Sequence, residues 1–218
     1  MMRQILILLL LSSVYLSSLS QDFRSFIPND YDTLYDGVAR GDLNKDGIED
    51  VAMVLGPNWE KNEDWRERGA DSNAAPRLLI ILFGKNSGFV QVAKSEKAIL
   101  CKDCGGIFGD PFAGIEINKN VLSINHYGGS NWRWGYAHRF RYQGNVFFLI
   151  GQTSNSYWSV ENCDKLNDFA GTKYEDINFI TGQYEKKEIS EDCKLLENKK
   201  GKRKIEQLIS LSNFEIVN

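Results

Sequence analysis

Apolar residues along the chain come in short blocks separated by glycine, asparagine and aspartate, and several blocks alternate with polar residues at a period of two. In the stretch YAHRFRYQ, Tyr136, His138 and Phe140 fall on one face of an extended chain, and the arginines fall on the other. This alternation predicts β-strands. The candidate strands are TLYDGVAR, DVAMVL, RLLIILFG, FVQVAKS, GIEI, VLSINHY, YAHRFRY, VFFLIGQ, INFITGQ and KIEQLISL.

Turn signals separate these blocks: GKNSG before Phe89, NKN before Val121 and QGN before Val146. About ten strands at this spacing predict a mainly β fold of antiparallel strands, either a sandwich or a propeller-like array of sheets. The polar stretch 63–76 has no apolar face and is predicted to be a long exposed loop. The basic run KKGKRK, Lys199 to Lys204, is predicted to be a solvated hairpin tip.

The first twenty residues have the three regions of a signal peptide. Arg3 precedes an apolar stretch, 5–16, that is short for a membrane span, and Ser18-Leu19-Ser20 matches the small-x-small pattern before a cleavage site. A buried N-terminal helix is the alternative. We expect residues 1–20 to be removed and residues 21–218 to form a single β-rich domain that is secreted or periplasmic, with no stable membrane span after cleavage.

Charge narrows the class of partner. Removing residues 1–20 from the 218-residue chain leaves 198 residues, enough for one sizeable core, and the formal net charge of −3 becomes −4 with the loss of Arg3. Proteins that bind nucleic acid normally present a basic face. A mildly acidic chain therefore predicts no nucleic acid partner.

The four cysteines are even in number, which in an exported chain favours disulfides. Three pairings are possible, and the sequence favours Cys163 with Cys193 and a local bond between Cys101 and Cys104. The spacing of CKDC also matches a redox motif, but the glycines and proline that follow it do not favour the helix N-terminus that activates such a thiol. A zinc site would need more closely grouped ligands.

The stretch DLNKDGIED, 42–50, places an oxygen-bearing side chain at every second position and then a glycine. In a curled loop such side chains converge on one centre, and an all-oxygen set with three carboxylates suits Ca²⁺. A solvated Asx turn without metal is the alternative. The predicted ligands are the side chains of Asp42, Asn44, Asp46 and Asp50 and the carbonyl of Ile48.

An EF-hand is not predicted, because Met53 stands where that loop needs a bidentate glutamate and a strand-like run follows. The loop instead resembles the D-x-D-x-D-G-x-x-D calcium loop of the FG-GAP/VCBS family, whose integrin-like β-propeller blades carry it in a hairpin. RLLIILFGKNSGFVQV is similar to the later strands of such a blade, so the resemblance covers one unit, about 34–93. It implies that the same five residues bind calcium and that the calcium is structural.

Aromatic residues concentrate in GGSNWRWGYAHRFRY. Trp132 and Trp134 are two residues apart and share a face if the segment is a strand. With Asn131 and Arg133 they are candidates for binding a sugar ring or a protein partner. The alternative is that both tryptophans fill the core.

The function expected from these features is an exported, calcium-binding β-rich protein that acts as a binding or interaction module for a protein or glycan partner in the cell envelope or outside the cell. A secreted or periplasmic hydrolase of polysaccharide or peptidoglycan is the alternative, with Asp110, His126 and His138 near its site and a serine such as Ser130. The sequence has neither G-x-S-x-G nor H-E-x-x-H.

Overall fold

The structure is a computed structural model that describes residues 22–61 and 75–216. The predicted signal peptide and nearly all of the predicted loop at 63–76 lie outside the described residues. Within the described part, eleven strands form two antiparallel sheets, which confirms the mainly β prediction. The strands are β1 (Tyr31–Gly41), β2 (Asp50–Pro57), β3 (Leu78–Lys85), β4 (Gly88–Ser95), β5 (Phe112–Asn118), β6 (Val121–Gly129), β7 (Trp132–Gln143), β8 (Val146–Cys163), β9 (Asp168–Asn178), β10 (Gln183–Ile189) and β11 (Leu195–Lys202).

Within each sheet, strands that follow one another in the sequence are antiparallel neighbours, so the small sheet has the order β1-β2-β3-β4 and the large sheet the order β11-β10-β9-β8-β7-β6-β5. The predicted turns lie between strands. Lys119 and Asn120 both have positive φ between β5 and β6, and Gly144 and Asn145 do so between β7 and β8. Two consecutive left-handed residues match the right-handed twist of the flanking strands, which favours Asn, Asp and Gly there.

The core lies between the two sheets, which makes the fold a sandwich rather than a propeller-like array. Alternate residues of β2 and β3 face alternate residues of β6, β7 and β8. The fully or nearly fully buried members of this core include Ala52, Val54, Leu79, Ile81, Leu122, Ile124, Phe140 and Leu149. The other face of β2 and β3 is buried too, with Phe23, Phe26 and Ile27 packed against it. Burial on both faces explains the unbroken apolar runs of these two strands.

The large sheet extends beyond the sandwich. β8 is 18 residues long and pairs with β7 over residues 146–158. On its other side Phe148 bridges to Ser210 and residues 151–163 pair with β9, and β10 and β11 continue the sheet outward. Phe214 folds back over His138 and Phe140, with ring centroids 4.9 and 5.1 Å apart.

Three predictions from the sequence differ from this structure. KIEQLISL was predicted as a strand, but within 204–211 the structure has only the bridge at Ser210. KKGKRK was predicted as a hairpin tip, but Lys199 to Lys202 belong to β11, the outermost strand of the large sheet. INFITGQ was predicted as a strand with a hairpin turn at TGQ; the hairpin between β9 and β10 is present, but its turn, 179–182, begins earlier.

Both favoured disulfides are present. Cys101 and Cys104 are bonded with their Cα atoms 5.2 Å apart, and Cys163 and Cys193 with theirs 5.3 Å apart. The second bond ties the end of β8 to the turn between β10 and β11. It packs in a small cluster with Ala170, next to Trp158. Two disulfides are compatible with a location outside the reducing cytosol.

Candidate functional site

Strand β7 divides the predicted partner-binding residues between two faces of the large sheet. Successive side chains of a strand point to opposite sides, so Trp132, Trp134 and Tyr136 share the face that, further along β7, carries the buried Phe140. We call this the aromatic face. Arg133 lies on the opposite face, where its guanidinium carbon is 3.6 Å from the ring centre of Phe108. The four residues that the sequence grouped together therefore do not form one site.

Small polar residues of β8 stand opposite the aromatic residues of β7. Tyr136 pairs with Ser154, Trp134 with Ser156, and at the end of the strands Trp132 pairs with Trp158. The rings of Trp134 and Tyr136 are in contact, with centroids 5.4 Å apart. The aromatic face thus carries a row of rings on β7 beside a row of hydroxyl groups on β8.

The next two strands add a charged row to the same face. Lys173 pairs with Ser156 and Glu175 pairs with Ser154, and on β10 Glu188 stands opposite Lys173. The ammonium of Lys173 lies 3.9 Å from the carboxylate of Glu188. Lys and Glu therefore alternate along the outer side of the hydroxyl row.

Three depressions follow one another along this face. The first, of about 390 Å³, lies between Tyr136, Gln152 and Phe214; the second, of about 260 Å³, lies over Tyr136 and Ser154. The third, of about 490 Å³, lies between Trp132 and Glu188. Adjacent depressions share lining residues, so we describe them together as the furrow. Along β7 it runs from Trp132 to His138, about 20 Å at the rise of an extended strand.

Trp132 closes one end of the furrow and keeps 41% of its surface exposed. Its ring lies against Trp158, with centroids 5.4 Å apart, and reaches across to Gly171 on β9. A Cβ at Gly171 would come within 2.4 Å of the indole, and the φ of +64° at this residue also favours glycine. The prediction that both tryptophans share a face is thus confirmed, and Trp132 is not a core residue.

On the opposite face, Arg133 belongs to a different aromatic group. Its Nε donates a weak hydrogen bond to Ser159, and the ring of Phe108 lies tilted beside that of Tyr127, with centroids 6.2 Å apart. The hydroxyls of Tyr127 and Tyr157 are 3.2 Å apart, and burial together with this hydrogen bond raises the pKa of Tyr157 to about 12. Asn131 is exposed in the turn before β7, and its carbonyl accepts a hydrogen bond from the backbone N–H of Ser159.

The predicted calcium loop joins β1 to β2, as the strand-like flanks required, and its side chains bind its own backbone. Asp42 accepts the N–H groups of Lys45 and Gly47 at 2.6 and 3.0 Å. Asp46 accepts the N–H of Ile48 at 2.9 Å, which lowers the pKa of Asp46. These bonds give the loop the curled backbone that its Asn, Asp and Gly residues favour.

Asp50 is the buried acid of this loop. Its Oδ2 accepts the N–H groups of Leu43 and Asn44 at 2.7 and 3.3 Å, and its Oδ1 accepts the N–H of Gly84 on β3 at 2.9 Å. Burial raises the pKa of Asp50, against the three backbone N–H groups that lower it. Asp50 therefore fastens the loop to the neighbouring strand.

Convergence of the loop ligands on one centre remains a prediction. Within 22–61 and 75–216, no three His, Cys, Asp or Glu residues form a group that could hold a metal ion. Asp42, Asp46 and Asp50 direct carboxylate oxygens to separate backbone N–H groups. The donor set is nevertheless all oxygen, which is the chemistry that Ca²⁺ prefers.

Asp110, a candidate for the hydrolase alternative, is bound to an arginine. Its two oxygens accept hydrogen bonds from Arg77 at 2.7 and 2.6 Å, and one also accepts the N–H of Phe112. Arg77 is buried and binds Glu60 as well. Burial lowers the pKa of Arg77, but the bonds from Asp110 and Glu60 outweigh this and hold it above its usual value.

The two histidines are buried on β6 and β7. Nε2 of His126 accepts the N–H of Leu100 at 3.3 Å, and Nδ1 of each ring has no hydrogen-bond partner. Burial lowers the pKa of His126 to about 3 and that of His138 to about 4. Both rings are therefore neutral at physiological pH, and among the described hydrogen bonds none joins Asp110 to either histidine.

Sequence reasoning did not find the hydroxyl and charged rows of the furrow. Ser154 and Ser156 lie in the polar stretch TSNSYWS. Neither of its two faces is apolar, so the stretch lacks the alternation that predicts a strand. The spacing of Ser154, Ser156 and Trp158 is the signal that could have placed them together. Lys173 and Glu175 come from another hairpin, and local sequence does not show that pairing.

No family model, curated protein or solved structure matches this chain. The likeness of DLNKDGIED to the FG-GAP/VCBS calcium loop is therefore carried by the sequence pattern alone. In the part of the chain that the structure describes, no helix is both long enough and apolar enough to cross a membrane.

Proposed function

We propose that this protein is an exported binding module whose aromatic face holds a protein or glycan partner in the furrow. The observation that carries this proposal is the arrangement of Trp132, Trp134 and Tyr136 beside Ser154 and Ser156 on a face that the second sheet leaves uncovered. Concave surfaces that combine aromatic rings with a few polar groups are typical of binding sites. The signal-peptide pattern and the two disulfides support export.

We further propose that Ca²⁺ binds the loop at 42–50 and has a structural role. The loop joins β1 to β2, and Asn120, in the turn between β5 and β6, donates a hydrogen bond to the carbonyl of Asp42. The loop thus contacts both sheets. Neutralising Asp42, Asp46 and Asp50 with one ion would stabilise this junction, and the furrow lies elsewhere on the large sheet.

The hydrolase alternative has weaker support. A general acid or base needs a proton-accepting atom within reach of a substrate, yet both oxygens of Asp110 are bound by Arg77. His126 and His138 are 2% and 5% exposed. These three residues are explained by packing and ion pairing.

The proposal is tested by binding to a cell-surface extract of the source organism that contains both proteins and polysaccharides. Ser154→Arg would fill the middle of the furrow, whereas Asn198→Arg adds the same side chain to the opposite face of β11. We expect the wild type and Asn198→Arg to retain the same macromolecule and Ser154→Arg to lose it. Equal retention by both variants, or no retention by the wild type, would contradict the proposal.

A further inference from the structure

The floor of the furrow presents side chains to a ligand, whereas its backbone groups are already paired within the sheet. The strands β7, β8 and β9 are interior strands of the large sheet, so each has a paired neighbour on both sides over this region. Peptides that bind sheets commonly add a strand at an open edge and use main-chain hydrogen bonds. A ligand in the furrow must instead be recognised by rings, hydroxyls, amides and charged groups.

The chemistry of those side chains is that of a sugar site. Trp132 and Tyr136 present ring surfaces that can pack against the C–H face of a pyranose, and each also carries a polar tip. Across the furrow Ser154, Ser156 and Gln152 offer hydroxyl and amide groups, which both donate and accept hydrogen bonds. Sugar hydroxyls need both kinds of partner.

The charges around the furrow favour an uncharged ligand. Lys173 lies 3.9 Å from Glu188, and Lys186 lies 3.9 Å from Glu197. Three lysines and three glutamates line the middle depression, so its charges balance. A polyanion such as nucleic acid or acidic polysaccharide would require an excess of Lys and Arg, which this balanced set does not supply.

The same composition does not favour a protein partner. The centres of protein interfaces are depleted in Ser, Lys and Glu, and these residues make up most of the middle of the furrow: Ser154, Ser156, Lys173, Glu175, Lys186 and Glu188. The length of the furrow, about 20 Å along β7, suits a linear chain of several units.

We infer that the ligand of the furrow is a linear, uncharged polysaccharide, an inference that rests on the binding function proposed above. Sugar rings stack on Trp132 and Tyr136, while Ser154, Ser156 and Glu175 bind the hydroxyl groups. Trp158 and Gly171 hold the indole of Trp132 in place.

The test uses three probes prepared from the surface extract: a protein-free neutral polysaccharide fraction, a protein-free anionic polysaccharide fraction, and the deglycosylated proteins. Binding of the purified protein to each immobilised probe is measured by interferometry. We expect binding to the neutral fraction, weakened about tenfold in Trp132→Ala because one aromatic anchor typically contributes this much.

Tyr127→Ala is the matched control for Trp132→Ala. Tyr127 is 40% exposed and Trp132 41%, and they lie on opposite faces of the same sheet. Tyr127→Ala should bind the neutral fraction as the wild type does. Ser154→Arg removes no packing contact of Trp132 and should also abolish binding, and thermal unfolding identifies any variant that has lost its fold.

Each other outcome overturns the inference in a distinct way. If the protein binds the deglycosylated proteins or the anionic fraction instead, and Ser154→Arg loses that binding, the proposed binding function is retained but the ligand belongs to a different class. Binding to the neutral fraction that persists in both Trp132→Ala and Ser154→Arg would place the ligand outside the furrow. Binding to none of the three probes would remove the proposed function together with the inference.

Discussion

Arg77 and Asp110 form a two-pronged ion pair, with both carboxylate oxygens accepting from the guanidinium at 2.7 and 2.6 Å. Arg77 also binds Glu60, so one buried cation joins the short helical turn after β2, the start of β3 and the segment before β5. Asp110, which the sequence offers as a catalytic candidate, is one of the two carboxylates that this cation binds.

Replacing Arg77 with Met is expected to lower the free energy of unfolding by about 3–5 kcal/mol, because Glu60 is left as an uncompensated buried charge. Urea unfolding followed by circular dichroism measures this loss. Arg203→Met is the control, since its ion pair with Glu175 is on the surface and should contribute at most about 1 kcal/mol. Equal losses of unfolding free energy in the two variants would mean that the buried ion pairs of Arg77 do not stabilise the fold.

Acid is expected to destabilise the protein through its two histidines. Their pKa values fall to about 3 for His126 and about 4 for His138 in the fold, and the usual value is 6.5. Above pH 6.5 both states are neutral and stability does not change. As the pH falls below 6.5, only the unfolded chain takes up protons, so stability decreases by up to roughly 1.4 kcal/mol per pH unit for each histidine.

The measurement is the free energy of unfolding at pH 7, 6 and 5, a window in which the chain has two histidines to titrate. His138→Phe keeps a ring against Tyr136 and Phe214, and removes one titrating group. Its slope should be about half that of the wild type. A slope that the substitution leaves unchanged would show that His138 is not held neutral by burial.

Calcium is expected to raise the thermal stability of the wild type. A site of the weak extracellular class saturates at millimolar concentrations, and at one hundred times the dissociation constant the gain is about 2.7 kcal/mol. Isothermal titration and thermal unfolding with CaCl₂ measure it, with MgCl₂ as the comparison. The proposal fails if no heat is released and Asp46→Ala behaves as the wild type does.

The variant Asp50→Asn tests the hydrogen bonds that Asp50 accepts from the backbone separately from its proposed role as a calcium ligand. The amide has one acceptor oxygen, so the N–H of Gly84 or those of Leu43 and Asn44 lose their partner. An unsatisfied buried N–H costs about 1–3 kcal/mol, and this loss is expected in EDTA as well. Wild-type stability of Asp50→Asn in EDTA would contradict the hydrogen bonds described for the loop.

The two disulfides are expected to differ in their contribution to stability. They span 30 residues for Cys163–Cys193 and 3 residues for Cys101–Cys104. The chain entropy of the unfolded state predicts losses of about 3–4 and about 1–2 kcal/mol when each pair is replaced by alanines. Urea unfolding of the two double variants compares them directly, and a larger loss for Cys101–Cys104 would contradict this ranking.

The sequence predicts most of the sandwich because its strands are apolar on at least one face. The blocks at Val51 and Leu79 are buried on both sides of their sheet, and the left-handed turns at Asn120 and Asn145 carry residues typical of such turns. KIEQLISL fails as a strand because its pairing with β8 is limited to an isolated bridge from Ser210 to Phe148. The neighbours decide its conformation, and these lie far away in sequence.

The candidate site was predicted only in part, for a related reason. The alternation of Trp132, Arg133 and Trp134 is local, so a strand places the tryptophans together and the arginine apart. The middle of β8, 152–156, is polar on both faces, with Thr153 and Ser154 pointing to opposite sides. Such a segment has no hydrophobic period, and only its pairing with β7 reveals that its serines face the aromatic rings.

Strand β11 has a consequence for how molecules of this protein meet one another. It is the open edge of the large sheet, and it carries Lys199, Lys200 and Lys202 around Gly201. A lysine-rich edge resists pairing with a strand from another molecule, because approaching copies bring like charges together. Salt screens this repulsion, so the dispersed state should give way to edge-to-edge association as ionic strength rises.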